Sequence, residues 1–168
     1  MNAIFNRRSI RKYEDKPVEK EKIDKLLRAA MQAPSAGNQQ PWEFMVVQDK
    51  ETLKKLSKAS PYSSMVASSA VTFVLLARKE GLTFLECLPQ DMAAAAENLL
   101  LETVELGLGG VWLGISPVQE RIKYISDMFN LPENIEPFAL IPVAYPDGQK
   151  NEFVDRFDEA RIHYENWK

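Results

Sequence analysis

The stretch from residue 91 to residue 106 limits the possible folds more than any other part of the sequence. Its apolar residues include Met92, alanines 93–96, leucines 99–101 and Val104, and they occupy more than one face of a helix. A helix that is apolar around most of its circumference must be buried on several sides. In a chain of 168 residues, which suits one compact domain, we expect a second copy of the chain to supply part of that burial.

The pattern on either side of this helix alternates between helices and strands. Apolar residues at helical spacing predict further helices over residues 18–33, 51–60 and 118–129. Short apolar or β-branched runs predict strands over residues 44–47, 71–77, 111–113 and 138–145. After a turn at residues 146–148, the polar residues 149–168 carry four spaced aromatic side chains. We expect this tail to wrap around a partner subunit.

Composition and charge exclude several classes of function. A net charge of −3 gives no general attraction to nucleic acid or to anionic membranes. Cys87 is the only cysteine and His163 the only histidine, which argues against a disulfide, a Cys- or His-based metal site and a Ser-His-Asp triad. The apolar runs are too short to span a bilayer, and the N-terminus has no signal-peptide pattern. The sequence therefore predicts a cytoplasmic protein without a metal centre, a nucleic-acid partner or a membrane partner.

Positive charge is concentrated near the N-terminus, in the run Arg7-Arg8-Ser9-Ile10-Arg11-Lys12-Tyr13. If the chain is extended here, Arg7, Ser9 and Arg11 point to one side, because strand side chains alternate. Two guanidinium groups and a hydroxyl on one face suit a phosphate or a polyol. Taken alone, the run is explained equally well by a solvated basic N-terminus.

Small and amide-bearing residues follow the first long helix, between Pro34 and Pro41. The two prolines restrict the backbone, which lowers the entropy lost when polar side chains are presented to a ligand. The side chains of Asn38 and Gln40 carry both donors and acceptors, as the edge of a heterocycle requires. A capped loop between a helix and a strand accounts for the stretch slightly better when it is considered by itself.

The glycines between residues 107 and 114 do not form a dinucleotide-binding fingerprint, because they follow a helix and precede a strand. Gly107 and Gly109 are interpreted as the C-terminal cap of that helix. Gly114, at a strand end, would let a flat ligand approach the backbone. Arg156 is a surface charge unless the tail folds back onto the basic N-terminal run.

Together and in this order, these segments resemble the short form of the nitroreductase family of flavoproteins. The matching stretches span almost the whole chain: R-R-S-I-R, A-P-S-A-G-N-Q-Q-P-W, A-A-x-N-L-L-L with L-G-L-G-G-V-W-L-G, L-P-E-N-I-E-P-F-A-L-I-P-V-A-Y-P, and R-F-D-E-A-R-I-H-Y-E-N-W. The resemblance implies an α+β fold with a central, mostly antiparallel sheet flanked by helices. It also implies one domain over residues 1–168 and an intertwined homodimer with two FMN sites at its interface.

The resemblance assigns residues to the cofactor in four groups. Arg7, Ser9 and Arg11 match the positions that hold the FMN phosphate and ribityl chain, with Arg8 beside them. The loop that reaches the flavin from the neighbouring subunit is matched by Pro34, Ser35, Asn38 and Gln40. Leu113 and Gly114 match the strand end beside the isoalloxazine ring. Arg156 matches a tail residue that pairs with the phosphate, and Ala144 stands where many members have glycine.

The implied activity is the oxidation of NADH or NADPH and the reduction of a nitroaromatic, a quinone or a similar acceptor, in a ping-pong reaction. Because the flavin carries the redox chemistry, no catalytic side chain is assigned. Two alternatives stay open: other flavin chemistry of the same superfamily, such as dehalogenation or dehydrogenation, and a flavin-binding protein without turnover. A structural or interaction domain would be colourless.

Overall fold

The computed structural model describes residues 2–167 and combines five helices with a five-stranded sheet. The helices are α1 (Ala3–Asn6), α2 (Lys20–Met31), α3 (Lys50–Leu56), α4 (Leu88–Glu105) and α5 (Gln119–Phe129). The strands are β1 (Trp42–Val47), β2 (Val71–Arg78), β3 (Gly109–Gly110), β4 (Leu113–Gly114) and β5 (Ile135–Ala144). Short 3-10 turns cover Ala36–Asn38, Ser64–Ser68, Leu85–Cys87 and Glu159–Arg161.

The five strands form one sheet in the order β1-β2-β5-β3, and β4 also pairs with β5. All of these pairings are antiparallel. A parallel bridge joins Ser9 to Gly110 at the β3 edge. The predicted mostly antiparallel sheet is therefore confirmed, and β5, the last strand in sequence, lies inside it.

Helices cover both faces of the sheet, which explains the apolar run from Phe73 to Ala77 in β2. Phe73 and Leu75 of β2 belong to a core cluster with α2 and α4. Val74 and Leu76 belong to a second cluster with α3 and α5. Successive side chains of a strand point to opposite faces, so a strand between two helical layers needs an apolar residue at every position.

Helix α4 is buried mainly by its own chain. It packs against α2 and against the sheet, and eight of its residues are buried. Ala95, at the centre of the apolar stretch, is 0% exposed in the single chain. The sequence predicted that a second copy of the chain would bury part of this helix. In the structure, most of the burial comes from the same chain. The outer side combines half-buried Ala93, Ala94 and Leu101 with the exposed Glu97 and Glu105.

Two predicted elements are shorter or divided. The helix predicted over residues 51–60 ends at Leu56, because the Ser57 hydroxyl donates to the Lys54 carbonyl at 2.9 Å and the following turns tighten. The strand predicted over residues 111–113 is wrong. β5 pairs with β3 and then with β4, and the two residues between them leave the ladder.

The two glycines interpreted as a helix cap have different roles. Gly107 has a left-handed φ of 73° just after α4, so its capping role is confirmed. For Gly109 the prediction is wrong, because this residue lies in β3 against the N-terminal segment. A Cβ built on Gly109 would come within 2.7 Å of Ile10, so a side chain here would push that segment away.

Candidate functional site

Residues 7–13, here called the basic segment, lie along the β3 edge of the sheet. Ile10 N–H donates to the Gly110 carbonyl at 3.0 Å, and Ile10 is 1% exposed. The inward direction of Ile10 turns its neighbours Ser9 and Arg11 outward, where both are exposed. The Tyr13 hydroxyl donates to the Ile10 carbonyl at 2.7 Å. Burial raises the pKa of Tyr13 well above its usual range, so this hydroxyl stays a donor at ordinary pH.

The first residues of the tail bind the backbone of the basic segment. Gln149 Oε1 accepts from Arg11 N–H at 2.6 Å and from Lys12 N–H at 2.9 Å. Asn151 Oδ1 accepts from Arg8 N–H at 3.1 Å, and its amide donates to the Leu108 carbonyl at 2.8 Å. The two ends of the chain are therefore joined beside β3.

A cleft of about 410 Å³ opens beside Arg11, and we call it the ring cleft. Its walls include Arg11, Trp112, Leu113, Gly114 and Arg121, together with side chains between residues 60 and 65. A Cβ built on Gly114 meets nothing within 4 Å, so a flat group has room against this strand end. Arg121 donates to the Gly114 carbonyl at 2.8 Å. With two guanidinium groups and no acidic residue in its lining, the cleft favours an electron-rich or anionic ligand.

A second cleft, of about 310 Å³, contains Arg7, Arg8 and Arg156, and we call it the arginine cleft. Arg7 forms an ion pair with Glu97 of α4 at 3.3 Å. The guanidinium of Arg8 donates to the backbone carbonyls of Arg7 and Phe5, so it stabilises the end of α1. Its Nε is buried without a partner. Arg156 is exposed in the tail. The structure thus groups Arg156 with Arg7 and Arg8, and it places Arg11 in the ring cleft.

The loop between Pro34 and Pro41 is held by its own polar groups. Ser35 Oγ accepts from Gln40 N–H at 3.1 Å, and Asn38 Oδ1 accepts from the Gln40 amide at 3.0 Å. Asn38 and Gln40 have left-handed φ values of 56° and 46°, which cost roughly 1–2 kcal/mol each for residues with a side chain. No residue of this loop lines the ring cleft or the arginine cleft of its own chain.

Three residues near the site were not identified from the sequence. Arg121 lies in an amphipathic helix, where an arginine resembles any surface charge. Gln149 and Asn151 bind backbone groups that are 137–143 positions away in sequence, and no local pattern signals such a contact.

Within residues 2–167, the structure has no cluster of His, Cys, Asp or Glu suited to a metal ion. None of its described helices is long and apolar enough to cross a membrane.

The fold and the two clefts define a class of protein: an α+β domain with two clefts that are lined in part by arginine side chains. The profile of the nitroreductase family matches residues 4–61 and 60–145. The chain therefore belongs to the nitroreductase family, and the resemblance seen in the sequence is confirmed.

Three relatives illustrate the similarity. A Clostridium acetobutylicum crystal structure, provisionally named an NADH oxidase, is 57% identical with a TM-score of 0.97, covering 98% of this chain and 99% of that one. An FMN-dependent nitroreductase of Clostridium difficile R20291 is 33% identical with a TM-score of 0.91, covering 99% of both chains. An Archaeoglobus fulgidus protein, provisionally named an NADH dehydrogenase/NAD(P)H nitroreductase, is 43% identical over 99% of this chain and 98% of its own length.

Proposed function

We propose that the protein is an FMN-dependent oxidoreductase that takes hydride from NADH or NADPH and reduces a nitroaromatic, a quinone or a similar acceptor. The observation that carries the proposal is that the basic segment lines two clefts, with Arg11 in one and Arg7 and Arg8 in the other, where Asp155 also takes part in the lining. One has open space against the backbone of Gly114, and the other contains Arg7 and Arg156. The FMN-dependent relative from Clostridium difficile supports the same cofactor. Because the nicotinamide donor is a cytoplasmic metabolite, we place the enzyme in the cytoplasm.

The ring cleft suits the isoalloxazine. FMN, when bound, supplies the hydride acceptance and electron donation, and the protein binds, orients and tunes it. Leu113 and Gly114 give a flat backbone surface, and Arg11 and Arg121 supply positive charge at the same cleft. Positive groups fixed in advance stabilise negative charge that develops during a reaction. The lining has no nucleophile paired with a base, in keeping with a site whose side chains hold the cofactor.

The arginine cleft suits the phosphate. Arg156 and Arg7 can each offer charge-assisted hydrogen bonds to phosphate oxygens. The four-residue step from Arg7 to Arg11 spans about 13 Å if the segment is extended, so one segment can border both the tail and the ring of FMN. Ser9 lies between them, exposed, where it can contact the ribityl chain.

The loop residues Pro34, Ser35, Asn38 and Gln40 complete the site from a second subunit in this proposal. They do not line either cleft of their own chain, yet Pro34, Asn38 and Gln40 are exposed. The tail leaves Phe153, Phe157, Tyr164 and Trp167 between 60% and 86% exposed. A homodimer in which residues 149–168 wrap the partner would cover these rings. An obligate interface of this kind should bury more than ~2,000 Å².

The donor and the acceptor use the same cleft in turn, which gives a ping-pong reaction. The motivation is the absence of a second nucleotide-binding segment from the sequence. Parallel lines in double-reciprocal initial-rate plots are expected with NADH or NADPH and an acceptor. Intersecting lines would demonstrate a ternary complex and contradict a shared cleft.

Cofactor identity is the first test. The purified protein should be yellow, and mass analysis of the released cofactor should give FMN. FAD as the sole species, or a colourless protein that does not take up added FMN, would overturn the proposal. A yellow protein without oxidation of NADH or NADPH by any acceptor would instead identify a flavin-binding protein without turnover.

A further inference from the structure

A buried carboxylate lies behind the loop that carries Asn38 and Gln40. Asp91, in the first turn of α4, is 4% exposed. Both of its oxygens accept from neutral donors of the loop. Ala36 N–H donates to Oδ1 at 2.9 Å, and the Gln39 amide donates to Oδ2 at 2.7 Å. Burying a carboxylate lowers stability unless its hydrogen bonds compensate, and here those bonds are directed at one loop.

Gln39 connects Asp91 to a third segment, the chain before α4. Its Nε2 donates to the Phe84 carbonyl at 3.0 Å, and its Oε1 accepts from Phe84 N–H at 3.0 Å. The Phe84 ring also packs on Gly37, since a Cβ built on Gly37 would lie 2.8 Å from the ring. One amide side chain therefore joins the loop to two other parts of the fold.

The direction of Gln39 determines the direction of its neighbours. Gln39 is turned inward and half-buried, whereas Asn38 and Gln40 are exposed on the other side with left-handed backbones. The bonds among Ser35, Asn38 and Gln40 lie within the loop. Besides the bonds to Asp91 and Phe84, the loop backbone is held by Arg78, whose guanidinium donates to the Gln40 carbonyl at 3.3 Å. The bonds of Gln39 are the ones that act on a side chain between Asn38 and Gln40.

We propose that Asp91, acting through Gln39, is a positioning residue that sets the orientation in which the loop presents Asn38 and Gln40 to the flavin. The proposal rests on the proposed function, because the loop is taken to contact bound FMN. Asp91 itself touches neither cofactor nor substrate. It determines how tightly and in which geometry the ring is held.

An exchange of the two polar side chains tests the contact. In Asp91→Asn, the new NH2 group faces one of the two loop donors, so one hydrogen bond is lost. In Gln39→Glu, two carboxylates lie side by side and repel each other. Each change should weaken binding of FMN and of riboflavin alike, by about ten- to a hundredfold. In the double variant, the new amide at position 91 can donate to the new carboxylate at position 39 and still accept from Ala36 N–H. Its affinity should exceed that of both single variants but stay below that of the wild type, because a carboxylate at position 39 cannot donate to the Phe84 carbonyl.

Affinity is measured by flavin fluorescence quenching on titration of apo-protein, and the visible circular dichroism of the bound flavin reports the ring geometry. Glu86→Gln and Gln90→Glu are matched charge controls at exposed neighbouring positions. Ile125→Val, in the core on the other face of the sheet, should lower the unfolding temperature and leave both flavin readouts unchanged. If Asp91 had only a structural role, Asp91→Asn would lower the unfolding temperature and leave both flavin readouts unchanged, as Ile125→Val does.

Gln39→Met provides a milder second variant, because it removes the bonds without adding a charge. If Asp91→Asn does not fold, Gln39→Met should still show the loss of affinity and the changed dichroism. Wild-type affinity in the folded single variants, or a double variant no better than the singles, would overturn the inference. A wild-type protein that binds no flavin would instead overturn the proposed function.

Discussion

The basic segment and the tail beyond Asn151 both carry arginines of the arginine cleft, but they are held in different ways. The basic segment is fixed by its own chain, through the β3 edge, the buried side chain of Ile10 and the acceptors of Gln149 and Asn151. In the tail, the hydrogen bonds around Arg156 are local, such as Phe157 N–H to Asp155 at 3.0 Å. Phe153 does contact Phe5, with ring centroids 6.1 Å apart, yet it is 60% exposed.

Arg7 and Arg156 therefore depend on different partners. Arg7 is in place once the single chain has folded, because the sheet edge and Glu97 hold it. Arg156 needs an additional surface to fix its segment, and a second subunit is the surface that the proposed dimer offers. Substitutions in the basic segment should therefore lower the free energy of unfolding. Substitutions in the tail should instead weaken subunit association and FMN binding together.

Removal of the tail has the largest expected effect. A chain ending at Asn151 keeps the two acceptors on the basic segment but loses Arg156 and all four exposed rings. We expect a folded monomer without bound FMN, because association and cofactor binding are linked. A chain ending at Gly148 should in addition lose order in the basic segment. Sedimentation and absorbance measure both properties, and a monomer that still binds FMN tightly would show that the site lies within one chain.

The second comparison concerns Ile10 and Phe157, which are 1% and 71% exposed. Ile10→Ala should lower the free energy of unfolding by about 2–5 kcal/mol at every protein concentration, because it empties a buried site. Phe157→Ala should act only through the dimer, so its effect should be absent at protein concentrations where both proteins are monomeric and should grow to a constant value as the concentration rises. Urea unfolding at several concentrations separates the two. An equal, concentration-independent loss in both variants would mean that the tail packs on its own chain.

The third comparison concerns Arg156 and Arg11. Arg156→Ala should weaken FMN binding by about one to two decades, the equivalent of roughly 1.5–3 kcal/mol for a charge-assisted hydrogen bond. Riboflavin, which has no phosphate, should be affected much less. Arg11→Ala should weaken both ligands, since Arg11 lies in the ring cleft. Lys150→Ala is an exposed control. The opposite pattern for the two arginines would reverse the assignment of the clefts.

The smallest effect is expected for single hydroxyl groups. Tyr13→Phe removes the donor to the Ile10 carbonyl and should cost about 1 kcal/mol near neutral pH, whereas Tyr164→Phe, 79% exposed, should cost nothing measurable. The raised pKa of Tyr13 means that its contribution is present below the unfolded value of about 10 and is lost at higher pH. The difference between the wild type and Tyr13→Phe should shrink above that pH. A constant difference up to pH 11 would argue against the buried hydroxyl as its cause.

The elements of the sheet and the long helices were predictable from the sequence, because periodicity reports burial. The run from Phe73 to Ala77 in β2 is apolar at every position and has helices on both faces, and Leu53 and Leu56 mark the buried side of α3. What periodicity cannot show is which surface covers an apolar face. For α4 it is mainly α2 and the sheet, and the sequence alone did not distinguish these from a second subunit.

The sequence identified the segments that form the candidate site, but it did not show which residues share a cleft. The sequence picked out Arg11, Gly114 and Arg156, but the separation into two clefts depends on the path of the basic segment past Gly109. Arg121 and Asp91 were missed as site residues because an arginine on a helix and a carboxylate in a first helical turn both have ordinary local explanations. Their roles follow from distant partners, the Gly114 carbonyl and the loop amides.

The inner position of β5 has a consequence for how the protein is made. Chains emerge from the ribosome N-terminus first, at about 5–20 residues per second. Until residues 135–144 appear, β2 can pair only with β1, and its other edge stays open to pairing with neighbouring nascent chains. Ser9 forms its bridge to Gly110 of β3, and β3 joins the sheet only by pairing with β5. Residues 7–13 are thus made well before residues 135–144 but take their place beside β3 after them, so the clefts that the basic segment borders form only once β5 has been made.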